Sequence, residues 1–383
     1  MAGRREAIMT DIAIEPKRVE AASRPRLALL ALGFRAHLPL FALALIIVSA
    51  ETWAELYFRL PVQAGFAQTI VLCMIGGLPA IVVSVAIERL VHLVRHVKPK
   101  SPIAALSKEM WAYLGDRRRL ANGIPAYLAL VALIYAYGRL KPVIPSLHPF
   151  SWDATLHHLD KALHFGVEPW RLLQPVFGNL PMTILIDTVY CLWFAAMYFV
   201  FTHYAFAVRH TVARWRFFIA FFLVWSIGGM LLAVCFSSAG PVFYTLAGNA
   251  ADPYAPLMAQ IRGYGESWPL FALEAQKLLA DSYRGGEGGL IAGISAMPSL
   301  HNATATLLAF AGFQISRKLG WAGIAFAAGI FLGSIHLGWH YAVDGYFGIA
   351  FAMLIWWVSG PIARAIGGDE PSLRFAEALD GRF

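Results

Sequence analysis

The chain is predicted to be an all-α integral membrane protein with about eight transmembrane helices. Three observations predict this. Apolar residues fill 58% of the 383 positions and charged residues only 14%, whereas soluble domains carry about 25% charged residues. Mean hydropathy is +0.59. Finally, the basic residues gather between the apolar runs rather than inside them, which is the pattern that fixes topology in membranes. The net charge of +8 is therefore explained by topology, and no nucleic-acid partner is expected.

A span needs about 20 mostly apolar residues. Residues 1–35 form the first segment, of which the first 26 are polar and carry Arg4, Arg5, Lys17, Arg18, Arg24 and Arg26. They lack an early apolar core followed by a small-residue cleavage site, so they read as a basic cytoplasmic tail and not a signal peptide. Residues 36–140 hold spans near 37–57, 66–87 and 121–139, with a basic loop from Glu88 to Leu120. Residues 141–180 form an amphipathic segment containing "SWDATLHHLDKALHFGVEPWRLL". Residues 181–365 are the transmembrane core, with spans near 182–207, 216–236, 300–316, 320–338 and 343–362. A short tail, 366–383, closes the chain. Cys73, Cys191 and Cys235 fall inside spans without paired spacing, which argues against disulfides and against a cysteine metal site.

Charge counting orients this arrangement. Of the 31 Lys and Arg residues, 23 lie in the two termini, the 88–120 loop, the turn around Arg209–Arg216 and the Arg317–Lys318 turn, leaving 8 for the other side. Both termini are therefore expected inside. Segments 140–180 and 237–299, and the turn holding His340 and Asp344, are expected outside.

Two polar clusters interrupt the apolar sequence on that outer side. In "MPSLHNATATLLAF", Pro298 and Ser299 signal a helix start, with Ser299 as cap. The free amides of a first helical turn favour an anion, and His301 sits in that turn. In "HLGWHYAVD", His336, His340 and Asp344 are spaced by four and share a face if one helix runs through them. If the helix ends near Gly338, His340 and Asp344 fall in the following turn. In both cases a carboxylate held at Nδ1 of an imidazole fixes its tautomer and leaves Nε2 free to attack or to take a proton. Ionisable groups at membrane depth are costly and usually functional.

Pro298-Ser299-Leu300-His301 and "GSIHLGWHYAVD" resemble the second and third signatures of the type-2 phosphatidic acid phosphatase superfamily. The resemblance covers about residues 180–362 and implies a six-helix phosphatase-type catalytic core with short outer-face helices. Matched position by position, it makes His340 the nucleophile on phosphorus, Asp344 its orienter, His301 the general acid and Ser299 a phosphate ligand. The family's Ser-Arg falls on Gly333 and Ser334, and "SSAGPVFY" (237–244), where its first signature belongs, lacks a cation. In both respects, and in the "HY" followed by an aspartate, the chain is more similar to the branch of inositol phosphorylceramide and sphingomyelin synthases. The "HHLDKALHFGVEPW" and Asp187–Tyr190 stretches are similar to bacterial members of that branch.

The resemblance implies a membrane-embedded lipid phosphatase or phosphotransferase acting through a phosphohistidine. Its substrate would be a lipid phosphate or phospholipid, with a lipid alcohol as candidate acceptor and no cofactor or metal. The expected location is a bacterial plasma membrane with the site on the periplasmic face. His336 is the favoured replacement for the missing phosphate-binding cation, followed by Arg262, Lys277, Arg284, Arg171 and Lys161. Asp187 is either a site carboxylate or an interhelical hydrogen-bonding group, and Tyr244 is a further candidate. Glu51 and Glu55 read as an interfacial pair reaching water, and His157, His158 and His164 as headgroup-layer packing. Two alternatives remain: a metal enzyme using His301, His336, His340 and Asp344, and a lipid transporter or binding protein without catalysis.

Overall fold

The computed structural model describes residues 26–59, 64–285 and 292–380. No strand occurs among those residues. In chain order the helices are α1 (Arg26–Ala36), α2 (Leu38–Phe58), α3 (Ala64–His92), α4 (Pro102–Gly115), α5 (Arg117–Leu140), α6 (Asp153–Leu163), α7 (Pro169–Phe177), α8 (Leu180–Ala205), α9 (Val212–Cys235), α10 (Ala255–Ser267), α11 (Phe271–Gly285), α12 (Leu300–Ile315), α13 (Arg317–His336), α14 (Ala342–Gly367) and α15 (Glu370–Leu379). The basic tail up to residue 25 lies outside the described residues.

Each of the eight predicted spans falls on a helix: α2, α3, α5, α8, α9, α12, α13 and α14. Seven of these are long and apolar enough to cross a bilayer. The eighth, α12, has 16 residues, about 24 Å at 1.5 Å per residue, and starts at the polar cluster that shortens it. The protein is an integral membrane protein with an all-α fold. Helix starts carry the side chains expected of caps. Asn179, Thr211, Ser299, Ser316 and Asp369 each accept a hydrogen bond from an amide three residues on.

The core is built by α12 against α13 and α14, with α9 on α14 and α8 on α13. Helix α5 also packs on α8 and α9. Its apolar window is 67% buried, as much as that of α9, so α5 is a central helix, the sixth of the core. Midway, α9 widens into π-helical turns at 224–232, a feature common near functional sites. There Gly229 lets the Leu300 side chain approach; a Cβ at that position would lie 2.6 Å from Leu300 Cδ1.

One sequence expectation fails in this part of the molecule. Glu51 and Glu55 do not reach water: they are 2% and 5% exposed, and Arg139 of α5 bridges both. A cation supplied by a neighbouring helix removes the need for water at that depth.

Candidate active site

Because α12 and α13 are joined by Ser316 alone, they run antiparallel, and the start of α12 lies beside the end of α13. Helix α13 stops at His336, and Gly338 has φ +75°. The chain then turns back through Trp339 and His340 into α14. His336, His340 and Asp344 therefore do not share one helical face. The turn instead brings His340 Nε2 to 3.3 Å from His301 Nδ1 in the first turn of α12. The opposite nitrogen, His340 Nδ1, faces Asp344 Oδ2 at 3.5 Å. His340 is 5% exposed and Asp344 fully buried. A gap sized for phosphorus is not present between the imidazoles, which touch directly; they must part to admit a phosphoryl group.

Backbone bonds hold this pair in register. The Asp344 carboxylate accepts from the Tyr341 amide at 3.1 Å, and its carbonyl accepts from the Ser299 amide at 3.3 Å. The His340 amide donates to the Ser334 carbonyl at 3.0 Å. Ser299 Oγ accepts from the Asn302 amide at 3.3 Å and from Asn302 Nδ2 at 3.0 Å. Ser299 is thus the cap that the sequence predicted, fully buried, and its hydroxyl hydrogen remains free to donate. Close approach of α14 to this start depends on Gly348, where a Cβ would sit 2.6 Å from the Ser299 carbonyl oxygen.

Aromatic residues of α8 wall the His301 side. Tyr190 stacks on His301 at 4.9 Å between centroids, and Trp193 lies at 4.4 Å. Trp193 Nε1 also donates to the His301 carbonyl at 3.0 Å. The resemblance flagged the Asp187–Tyr190 stretch but gave these rings no role. Their spacing along one buried face of α8, with Thr183, Asp187 and Met197, was the available signal.

Helix α6 supplies two carboxylates whose role the sequence reading missed. Asp153 accepts from the amides of Ala239 (2.9 and 3.1 Å) and Gly240 (2.8 Å) and from the Tyr341 hydroxyl (2.8 Å). It ties the "SSAG" loop to the residue after His340. Asp160 accepts from the Ala342 and Val343 amides, both at 2.8 Å, and so caps α14 from outside. Burial pushes Asp160 up to about 7, opposed by those two amides. Asp153, Leu156, His157 and Asp160 form the buried face of α6, and that 3–4 spacing is legible once α6 is seen to pack.

Other candidates go elsewhere. His336, the favoured cation, is turned to α8: its Nε2 is 2.9 Å from Thr183 Oγ1. Thr183 spends its own hydrogen on the Asn179 carbonyl, so His336 Nε2 is the donor. Asp187 accepts from the Phe271 and Ala272 amides at 2.7 and 2.9 Å, which makes it the interhelical group, the cap of α11. Tyr244 packs against His157 and Tyr254. His157 and His164 bind Tyr254 and Tyr346 respectively, so they do not converge. Arg262, Lys277 and Arg284 are exposed, and Arg171 and Lys161 pair with Glu168. No three His, Cys, Asp or Glu side chains among the described residues converge as a metal set.

A different cation lies beside the segment that leads to the pair. Lys141, just after α5, is only partly exposed, and Gly293, six residues before Ser299, packs against its side chain and backbone. Burial first, then Lys141, pushes His340 down to about 3 against the opposite pull of the Ala296 carbonyl. His340 is therefore a neutral imidazole. In the tautomer that places Nδ1–H toward Asp344, its Nε2 lone pair faces His301 Nδ1 across the 3.3 Å contact. A bare nitrogen next to a poised proton can do nucleophilic and acid–base chemistry.

Residues 154–358, more than half of the chain, match the family model described as PAP2 superfamily. No curated protein and no solved structure matches the chain.

Proposed function

We propose that this chain, which belongs to the PAP2 superfamily, cleaves or transfers a phosphoryl group of a lipid through a phosphohistidine at His340. The observation that carries the reading is the direct approach of His340 Nε2 to His301 Nδ1, with Asp344 behind His340. In the first half-reaction Nε2 attacks phosphorus and the bond to the leaving alcohol breaks. His301, carrying its second proton when the anionic substrate is bound, gives that proton to the departing oxygen. Asp344 offsets the positive charge left on the phosphorylated imidazole. In the second half-reaction neutral His301 takes the proton of an incoming hydroxyl, whose oxygen attacks phosphorus as the N–P bond breaks. Water yields hydrolysis and a lipid alcohol yields transfer.

The aromatic wall and the membrane setting support a lipid substrate: the acyl part stays in the bilayer while the phosphoryl group enters among the loops. The similarity to inositol phosphorylceramide and sphingomyelin synthases, in the missing cations of the first and third signatures and in the "HY" followed by an aspartate, favours transfer between lipids. The test is incubation of purified protein with labelled lipid phosphates and glycerophospholipids, with and without diacylglycerol or ceramide. Inorganic phosphate identifies the hydrolase and a new phospholipid the transferase. His340→Ala should abolish either product, and His301→Ala should lower it about 10²–10⁴-fold, as for a general acid. Turnover at the wild-type rate in both variants removes the proposal.

A further inference from the structure

Phosphoryl transfer places negative charge on the equatorial oxygens, and fixed positive charge aimed at them is commonly the largest catalytic contribution. The chain lacks the arginines of its family's signatures, and His336 is engaged with Thr183. We propose that Lys141, supplied from outside the family-matched region, is the cation that binds the phosphoryl oxygens. This inference rests on the function proposed above.

Four observations carry it. First, Lys141 stands at the end of α5, a central helix of the core, and not on a peripheral loop. Second, the segment that leads into Ser299 and His301 crosses directly over it. At Gly293, where φ is +87°, a Cβ would lie 2.6 Å from Lys141 Cγ and 2.8 Å from its carbonyl carbon. Three residues further, Ala296 donates to the Ser238 carbonyl at 2.9 Å, and both Ala296 and the Trp339 carbonyl, next to His340, pack on Gly240. Third, Lys141 Nζ is held among aromatic faces, 5.8 Å from the Tyr137 ring and 6.0 Å from that of Phe66. Tyr137 continues through Trp225 and Trp193 to His301 as a chain of ring contacts. Fourth, among the described residues Lys141 has no carboxylate within ion-pair distance, whereas Arg139, two residues earlier, is bridged to Glu51 and Glu55. A half-buried ammonium held without an anion, beneath the segment that carries Ser299 and His301 to the site, is set up to receive one from the substrate.

The amine differs from a signature arginine in a way that matters for the substrate. A guanidinium binds two oxygens as a planar fork, whereas an ammonium is a compact point charge with rotatable donors. One oxygen of a phosphodiester, which has fewer charged oxygens than a monoester, suffices for it.

The test uses the full-length protein in detergent and orthovanadate as the probe. Lys141→Met should raise the vanadate concentration for half-inhibition at least about tenfold and lower kcat/KM by about 10²-fold. Its melting temperature should stay unchanged. Lys141→Arg should recover most of the vanadate affinity, which a packing role would not give, and it keeps the test open if the methionine variant does not fold. Arg262→Met, on an exposed helix face, should leave vanadate inhibition as in wild type. If Lys141→Met binds vanadate like wild type while His340→Ala loses it, the role of Lys141 is refuted and the function stands. If wild type shows neither turnover nor vanadate binding, both fall together.

Discussion

Removing the Asp153 carboxylate tests how the site is held. That side chain serves three donors: the amides of Ala239 and Gly240 and the hydroxyl of Tyr341. Asp153 is 2% exposed, so Asp153→Ala leaves three buried donors without an acceptor. Each such donor costs about 1–3 kcal/mol. Water entering the space left by the side chain brings the sum toward the low end, about 3 kcal/mol. At roughly 2 °C per kcal/mol for a chain of this size, the melting temperature in detergent should fall by about 6 °C or more. Tyr341 follows His340 directly, and its amide is bonded to Asp344. Loosening it should misplace the nucleophile and lower kcat by about 10²-fold. Asp153→Asn should be intermediate, because one oxygen still accepts while the new amide group faces the Ala239 N–H. The assay pairs a thermal unfolding curve with turnover on the same preparation. Asp153→Ala with unaltered melting and turnover refutes the clamp.

Two further outcomes are expected. His340 is pushed down to about 3, so its neutral, nucleophilic form persists as pH falls. With a phosphodiester substrate, kcat/KM should show no acid limb near the ordinary histidine value of about 6.5, and a limb at that pH would contradict the assignment. Gly348→Val would press a side chain onto the Ser299 carbonyl oxygen, 2.6 Å from the first added atom. It should cost about 1–3 kcal/mol of stability together with activity, and a variant matching wild type in both would show that α14 does not seat the start of α12.

Seven long helices and the shorter α12 were legible because lipid selects apolar runs, and the starts of α12 and α13 carry cap residues that any solvent would select. Helices α10 and α11 were not read, since "APLMAQIRGYGES" and "FALEAQKLLADSYRG" are short and amphipathic within a loop rich in Gly and Pro. Within the candidate site, His301, His340 and Asp344, which the structure brings together, stood out in the sequence because each carries a side chain that the bilayer penalises. Of the two backbone courses that the spacing by four allowed, the structure takes the one in which the helix ends before Gly338, and His336 faces Thr183. The contacts of Asp153 and Asp160, and the proposed role of Lys141, were missed for a common reason. Each sits where a charged residue looks like ordinary loop chemistry, and its role exists only once α5 and α6 are packed against the start of α14 and the segment before α12. Sequence spacing does not encode that packing.

The most direct measurement of the central claim is a rapid alkaline quench during turnover of a lipid labelled on phosphorus, followed by peptide mapping. The account predicts an acid-labile label on the peptide carrying His340, absent in His340→Ala. Steady product formation with no label on the protein, or label on His301 instead, would contradict it.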